Sequence, residues 1–567
     1  MTYTAPVAEQ RFLLENIVRL AEYAPEAAEV SDAILEGAGD FASGEFAPLN
    51  RVGDEVGAKW SSDGVTMPPG FREAYRAYVE AGWGTLAGPE EHGGQGLPLT
   101  LATVVMEDLG SANMAFSLIM MLTPGTVEAL KHHGSEELKR LWLPKLISGE
   151  WSGTMNLTEP QAGSDVGALK TRAAPNGDGS WSITGTKIFI TFGDHDMADN
   201  IVHLVLARTP DAPPGTGGIS LFLVPKFLLN EDGSIGERND LRCVSIEHKM
   251  GIHASPTCVM SYGDEGRCKG WLVGEELGGM RAMFTMMNNA RLNVGLQGVS
   301  IGERATQAAA AYALQRVQGV REGRAAAIVE HADVRRMLLR MKALTQGARA
   351  LCYYAASQTD RAERGDRDAK ARADLLTPLV KAYGTDVGVE VASLGVQVHG
   401  GMGYIEETGA AQHLRDTRIA PIYEGTNGIQ AADLVGRKIG LEGGAVLARL
   451  LAEIRAEAGD ERGLVALADI AESVAERLQR AGPDDRMAAA YPFLTLLSVL
   501  VCGWLLKRSE RMLEGDSGGA SEQFKAMKKA SVRYYLEQVV PEAAGLAAAA
   551  SASADLLYSV PAEAFQA

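Results

Sequence analysis

WSITGTKIFITF, residues 181–192, changes the period of the chain. Apolar and polar side chains alternate through it, as they do in a strand with one face buried. NIVHLVLAR (200–208) and GGISLFLVPK (217–226) are of the same kind, bounded by Gly, Pro and Asp. Together they mark residues 151–275 as a central β-domain, barrel- or sandwich-like. Upstream, LLENIVRLAEY and FREAYRAYVEAGW space their apolar residues by three and four, and Gly/Pro-rich turns such as MPPG and AGPEEHGGQGLP separate the helices. Residues 1–150 are therefore expected to be an N-terminal α-helical domain. The helical period returns at 276. In EHADVRRMLLRMKALTQGARAL, Val334, Met337, Leu338, Met341 and Leu344 form one stripe, and a helical bundle domain is expected over 276–440. LEGGAV breaks the pattern, and an Ala/Leu-rich additional helical domain follows at 445–567. The fold class expected is α+β multidomain, in the order α, β, α, α.

The chain has 567 residues, too many for one core. Its net charge of −18 excludes a general phosphate-backbone binder, which needs a basic face. Five cysteines (243, 258, 268, 352, 502) form no CxxC pair, which disfavours a zinc site and suits a reducing compartment. The first twenty residues lack the features of a signal or transit peptide, so a cytoplasmic location is expected. Residues 487–506, MAAAYPFLTLLSVLVCGWLL, carry no charge and approach the length of a membrane span. Pro492, Thr495, Ser498 and Gly503 interrupt them, and a buried helix of a C-terminal bundle is the favoured reading, with membrane association through this segment as the alternative.

Two stretches can carry chemistry. MNLTEPQAGSDVGALKTRA (155–173) is rich in small and hydroxyl residues that let backbone approach a ligand; on composition it is also an ordinary turn. No GxGxxG follows a strand here, so a nicotinamide site of the Rossmann kind is not indicated. PIYEGTNGIQ (421–430) places Glu424 between an aromatic residue and a glycine, directly after HLRDTRIA. Glu424 is either a solvated loop acid or a base held against something it must deprotonate.

LTEPQAGSD, KIFIT (187–191), ASPTC (254–258), QVHGGMGY (397–404) and IYEGTNGIQ (422–430) occur in this order within an α–β–α frame. In this the chain resembles the FAD-dependent acyl-CoA dehydrogenases over residues 45–440. Its C-terminal addition is similar to that of the long subgroup that includes 3-methylmercaptopropionyl-CoA dehydrogenases. The resemblance implies that Glu424 is the catalytic base. It would take the α-proton of a CoA thioester while the β-hydrogen leaves as hydride to flavin N5, giving a trans-2-enoyl-CoA. Some members carry the base on the helix that here reads MMNNARLNVG; the matching position is Ala290, which leaves Glu424. Burial beside a flavin should raise the pKa of that carboxyl toward neutrality.

The same resemblance assigns Met155, Leu157, Thr158, Gly163, Ser164, Phe189 and Thr191 to FAD. It adds Arg316, which meets the pyrophosphate, although RVQG here lacks the Phe of the usual RxxFG. Many members have Trp where Phe189 stands; the flat ring is kept and the indole N–H is lost. Gln397, Gly400 and Gly401 would reach the FAD of a neighbouring subunit, and Thr426 and Gly428 would face the cofactor. Ser164, Asn288, Arg291 and Gly425 would contact the acyl-CoA. His399 lies inside QVHGGMGY and is read as a packing residue, and His132 and His133 as solvated; no metal is expected. The implied partners are an acyl-CoA, an electron-transfer flavoprotein and a second copy in a homodimer. Two alternatives stay open. One is an acyl-CoA oxidase. The other is a flavin-bearing DNA-associated relative, against which the C-terminal count from Arg449 onward, 13 Lys/Arg to 17 Asp/Glu, speaks.

Overall fold

The computed structural model describes residues 3–513 and 521–567, and all of their side chains except that of Asn288. Contacts divide it into two compact units, Asp40–Ala290 on one hand and Tyr3–Gly39 with Arg291–Ala567 on the other. The division falls inside one 37-residue helix, Gly279–Gln315.

In the first unit, helices Leu49–Val56, Phe71–Glu80, Leu99–Ala112, Met114–His133 and Glu136–Ser148 precede the sheet. Helix Met114–His133 begins where the Asn113 side chain accepts a hydrogen bond from the Phe116 N–H, satisfying a donor the helix cannot use. It meets strand Trp151–Asn156 so closely that a Cβ on Gly153 would lie 2.2 Å from Thr126 Oγ1. Only glycine permits that approach. The sheet has eight strands. In order across it lie Leu241–Ile246, Thr257–Tyr262, Trp181–Thr191, Lys269–Val273, Ser220–Pro225, Asn200–Ala207 and Trp151–Asn156, and Arg172–Pro175 pairs with Trp181–Thr191. All pairings are antiparallel except that of Trp151–Asn156 with Asn200–Ala207. Ile183, Ile190, Phe222, Val224, Met260 and Tyr262 are among the residues of its core.

The 1–150 segment is not helical throughout. Lys59–Ser61 pairs with Gly64–Thr66 as a small hairpin. The turn between them is set by Gly64 at φ 131° and by Asp63 donating its N–H to Ser61 Oγ, and Trp60 Nε1 donates to the Cys243 carbonyl at 2.9 Å.

The second unit is helical, with helices Ala332–Glu363, Arg367–His399, Ala410–Thr417 and Asn427–Gly436, followed by Ala445–Ala458, Arg462–Arg480, Pro483–Leu513 and Glu522–Tyr534. A hairpin interrupts it, Val317–Arg321 with Arg324–Ala327, where Glu322 (φ 50°) and Gly323 (φ 79°) form a two-residue left-handed turn. The packing that places the site is backbone on backbone. A Cβ on Gly295 would lie 2.4 Å from the Val380 carbonyl oxygen, and one on Gly298 would lie 1.8 Å from that of Gly384. Arg291 and Lys381, one turn and one residue from that contact, are thereby brought to the same place. The apolar stretch 487–506 lies in helix Pro483–Leu513. By length and composition this helix could cross a bilayer, but 83% of its most apolar window is buried inside the protein. Trp504 is wholly buried there and donates to Glu457 Oε2 at 2.9 Å.

Candidate active site

In the β-rich unit, Met155, Leu157, Thr158, Gly163 and Ser164 run from the end of strand Trp151–Asn156 into the following loop. Met155 is buried, Leu157 and Thr158 are half-buried, and Gly163 and Ser164 are exposed. Glu159, 4% exposed, fixes this loop. Its Oε1 accepts from Lys187 Nζ at 2.8 Å, Thr171 Oγ1 at 2.6 Å and Thr171 N at 3.0 Å. Its Oε2 accepts from Lys170 N and Gln161 Nε2, both at 2.7 Å. Lys187 also donates to the Leu157 carbonyl at 2.9 Å. Burial by itself would raise the Glu159 pKa, but Lys187 and the hydrogen bonds outweigh it and bring the carboxyl down to about 2.

Phe189 and Thr191 lie at the end of strand Trp181–Thr191, where Ile188 donates its N–H to the Thr158 carbonyl. The register of strand Trp181–Thr191 shifts here. Lys187 pairs with Met260 and Ile190 with Cys258, so Ile188 and Phe189 together oppose the single residue Val259. Phe189 takes φ 59° and is 57% exposed. A β-bulge re-aims one side chain in this way. The bulge turns a large aromatic face out of the sheet, one residue beyond the Ile188–Thr158 hydrogen bond.

In the helical unit, Glu424 sits in a turn between helices Ala410–Thr417 and Asn427–Gly436. Two consecutive left-handed residues shape it, Glu424 at φ 55° and Gly425 at φ 82°. Thr426 then caps the next helix, its Oγ1 accepting from the Ile429 N–H at 3.2 Å. Gly428 lies exposed in that helix's first turn. Asn427 is buried under the turn. Its Nδ2 donates to Asp386 Oδ1 at 2.8 Å, Thr385 Oγ1 at 3.0 Å and the Ala382 carbonyl at 3.1 Å, and its Oδ1 accepts from Lys381 Nζ at 2.9 Å. The Tyr423 hydroxyl donates to Gln297 Oε1.

The Glu424 carboxyl is half-buried by surface area, yet its surroundings raise its pKa to about 6. Burial pushes it up, and the positive charges of Arg291 and Lys381 pull it part of the way back. Arg291 is buried, 4.0 Å from Asp433 Oδ2. Burial lowers the pKa of its guanidinium, against the opposing charges of Asp433 and Glu424. The site thus holds one carboxyl above the ordinary carboxylate range, with the charges of two buried cations acting on it.

Arg316, Gln397, Gly400 and Gly401 form a third set, all exposed. The ring of His399 stacks on Tyr312, centroids 4.4 Å apart, and its Nδ1 lies 2.7 Å from the Gly395 carbonyl oxygen. That stack sets the ends of helices Gly279–Gln315 and Arg367–His399 side by side, with Arg316 just beyond one and Gly400 just beyond the other. Met402, Tyr404 and Ile405 are exposed next to Gly401, at 47, 86 and 45%. His132 is half exposed beside Glu128, and His133 meets Thr285 Oγ1 at 2.9 Å. Asn288 stands on helix Gly279–Gln315, but its side chain lies outside those described.

Sequence reasoning missed Lys187, Lys381 and Asn427. The two lysines carry a visible signal, since each is a lone charge within an apolar run, KIFI and PLVKAY.

The succession of helical, β-rich and helical segments is that of an acyl-CoA dehydrogenase. Family models match the chain as acyl-CoA dehydrogenase N-terminal domain (residues 28–150), middle domain (154–264) and C-terminal domain (278–439), with an acetyl-CoA dehydrogenase C-terminal-like domain over 446–561. The chain belongs to the acyl-CoA dehydrogenase family. It is 47% identical to a 3-methylmercaptopropionyl-CoA dehydrogenase of Ruegeria pomeroyi, over 96% of this chain and 97% of that protein. It is 37% identical to a butyryl-CoA dehydrogenase of Syntrophomonas wolfei, over 91% of this chain and 90% of that one. A solved acyl-CoA dehydrogenase of Bacillus anthracis complexed with FAD shares the fold, with a TM-score of 0.76 at 23% identity, covering 94% of this chain and 90% of that one. The chain is an oxidoreductase of this family, and FAD is its cofactor. The outward Phe189 face and the open Gly163 backbone, where a Cβ would meet nothing within 4 Å, fit a flat ring with a polar tail.

Proposed function

We propose that this enzyme removes the α- and β-hydrogens of an acyl-CoA thioester to give a trans-2-enoyl-CoA, with Glu424 as the base. The raised pKa of Glu424, in a strained turn facing two buried cations, carries this reading. An α-proton of a thioester is weakly acidic, and its removal needs a carboxylate of raised basicity together with donors for the developing enolate charge. Glu424 Oε takes the proton; the left-handed turn at Glu424 and Gly425 orients the carboxyl and the backbone N–H beside it. Bound FAD supplies the two-electron oxidant for the β C–H bond. Met155, Leu157, Thr158, Gly163, Ser164, Phe189 and Thr191, with Arg316, Gln397, Gly400, Gly401, Thr426 and Gly428, hold it in this proposal. Ser164, Asn288, Arg291 and Gly425 contact the substrate.

The favoured substrate is a short or thioether-bearing acyl chain, which the 47% identity to the Ruegeria enzyme supports. The electron acceptor proposed is an electron-transfer flavoprotein, and the assembly a cytoplasmic homodimer. The exposed Met402, Tyr404 and Ile405 beside Gly400 and Gly401 support the dimer, and five buried free thiols support a reducing compartment. The four sequence segments 1–150, 151–275, 276–440 and 445–567 are the proposed domains.

The test is anaerobic titration of the yellow protein with a panel of acyl-CoAs, among them butanoyl-CoA and 3-(methylthio)propanoyl-CoA. Wild-type flavin should bleach. Glu424→Gln should hold FAD, bind acyl-CoA and stay yellow, and bleaching of that variant at the wild-type rate overturns the assignment. Stoichiometric peroxide under air would make the enzyme an oxidase instead.

A further inference from the structure

Lys381 lies on helix Arg367–His399 and is wholly buried. Burying an ammonium is costly unless it is matched by acceptors. Its Nζ donates to the Ala420 carbonyl at 3.0 Å, just before the base turn, and to Asn427 Oδ1 at 2.9 Å, just after it. One side chain therefore closes the segment 420–427 from both ends, and Glu424 is the residue at its apex.

We propose that Lys381 is the positioning residue of the base. It holds the turn in its left-handed form and, in balance with Asp386, sets the positive charge that Glu424 feels. The inference rests on Glu424 being the base. Three charged groups face the ammonium: Glu424, Asp386 and Arg291. Asp386 is itself tied down, its Oδ1 accepting from Asn427 Nδ2 at 2.8 Å and its Oδ2 from the Tyr491 hydroxyl at 2.6 Å; Arg418 adds a further positive charge near it. Burial lowers the Lys381 pKa to about 8 against the pull of Glu424 and Asp386, so the ammonium is charged where Glu424, at about 6, loses its proton.

Opposite changes on this balance have opposite consequences. Removing the cation leaves Glu424 with Arg291 alone, and its pKa rises. Removing the Asp386 charge leaves the Lys381 charge to Glu424, and its pKa falls. A merely structural lesion slows the reaction at every pH and gives no such pair of signs.

The experiment measures anaerobic bleaching of the FAD-loaded enzyme by butanoyl-CoA or 3-(methylthio)propanoyl-CoA at subsaturating concentration from pH 5 to 9, because kcat/KM reports the free enzyme's base. Lys381→Met should move the acid limb up by about one unit, the lower end of the shift an adjacent opposite charge gives. At pH 6 that is roughly a fivefold loss. Asp386→Asn, whose Oδ1 can still accept from Asn427 Nδ2 while its Nδ2 donates to a Tyr491 hydroxyl that turns round to accept, should move the limb down, and Lys381→Arg should restore it toward wild type. Acid limbs that coincide with wild type in both charge-removing variants, or shift the same way, overturn the proposal. If Lys381→Met does not fold, Asp386→Asn decides alone: a downward shift supports the proposal and an unmoved limb overturns it. Glu424→Gln run alongside separates the two readings. If it bleaches normally, the base is wrong; if it is inert while the limbs stay fixed, only the role of Lys381 falls.

Discussion

Lys187→Met tests whether the loop read as flavin-binding is held by a buried ion pair. Lys187 is 0% and Glu159 4% exposed, and they meet at 2.8 Å. Methionine fills most of the volume of the lysine stem but leaves the Glu159 carboxylate buried without a counter-charge. Breaking a buried pair from one side costs about 3–5 kcal/mol. Four donors to Glu159 remain: the N–H groups of Lys170 and Thr171, Thr171 Oγ1 and Gln161 Nε2. They soften the loss, so the lower end, about 3 kcal/mol, is expected. Six of the seven tryptophans (60, 83, 142, 151, 181, 271) fall between residues 40 and 290, so fluorescence reads this unit selectively. A melt followed by tryptophan emission should shift down by about 6–12 °C, taking about 2–4 °C per kcal/mol.

The pH dependence gives a second reading. In wild type the Glu159 pKa is depressed to about 2, so its stabilisation is full above the unfolded carboxyl value of 4.5 and is lost as pH falls through 2. In Lys187→Met the unpaired carboxyl is raised instead, and protonation then relieves the lesion. The gap between variant and wild type should therefore narrow from pH 7 to pH 5. Glu159→Gln combined with Lys187→Met should cost less than the sum of the single changes, since the pair is coupled. A single-variant cost below about 1 kcal/mol, unchanged with pH, would refute the reasoning.

Phe189→Gly removes a half-exposed ring held at φ 59°. The apoprotein should lie between wild-type stability and about 1 kcal/mol above it, because relief of left-handed strain offsets the added chain entropy. FAD affinity, measured by fluorescence titration of the apoprotein, should fall at least about tenfold, or about 1.4 kcal/mol; unchanged affinity removes Phe189 from the flavin site. Gly425→Ala puts a Cβ at φ 82° and 2.9 Å from Gln430 Nε2. It should cost about 1–2 kcal/mol in a thermal melt and slow flavin bleaching, and a variant with wild-type melt and rate shows that the turn needs no glycine.

The long helices and strand Trp181–Thr191 were legible because burial imposes a period on them; Asn200–Ala207 and Ser220–Pro225 are buried at every position rather than on one face, and short apolar runs bounded by Gly, Pro and Asp marked them instead. The bulge was not. Strict alternation along WSITGTKIFIT puts Phe189 on the face of Ile183 and Lys187, which are buried; the structure instead sets Ile188 and Phe189 against Val259 and sends Phe189 outward. A one-residue register change leaves no trace in an alternating pattern. The hairpins at 59–66 and 317–327 escaped because three to five residues per strand are too few to show a period. Glu424 was legible as a candidate from its neighbours in sequence, but its partners come from positions 291 and 381. The long-range approach of Gly295 to Val380 brings them there, and no local pattern encodes it.

The two units share one physical device. Phe189 and Glu424 are both non-glycine residues held at positive φ, which costs about 1–3 kcal/mol each and persists only where the surroundings fix it. Near each lies a buried lysine with two acceptors on a neighbouring segment: Lys187 on Leu157 and Glu159, Lys381 on Ala420 and Asn427. Among the described residues only one other lysine, Lys528, is buried. An ammonium with three donors in a dry site cannot leave its acceptors without the full cost of desolvation. It therefore serves as a fastener for a strained backbone better than an apolar contact, which yields gradually. The same property makes each lysine electrostatically active toward its neighbours. Replacing either by a neutral residue should thus loosen the strained turn and change the charge beside it at once, and variants that keep the charge while altering the shape, Lys187→Arg and Lys381→Arg, separate the two effects.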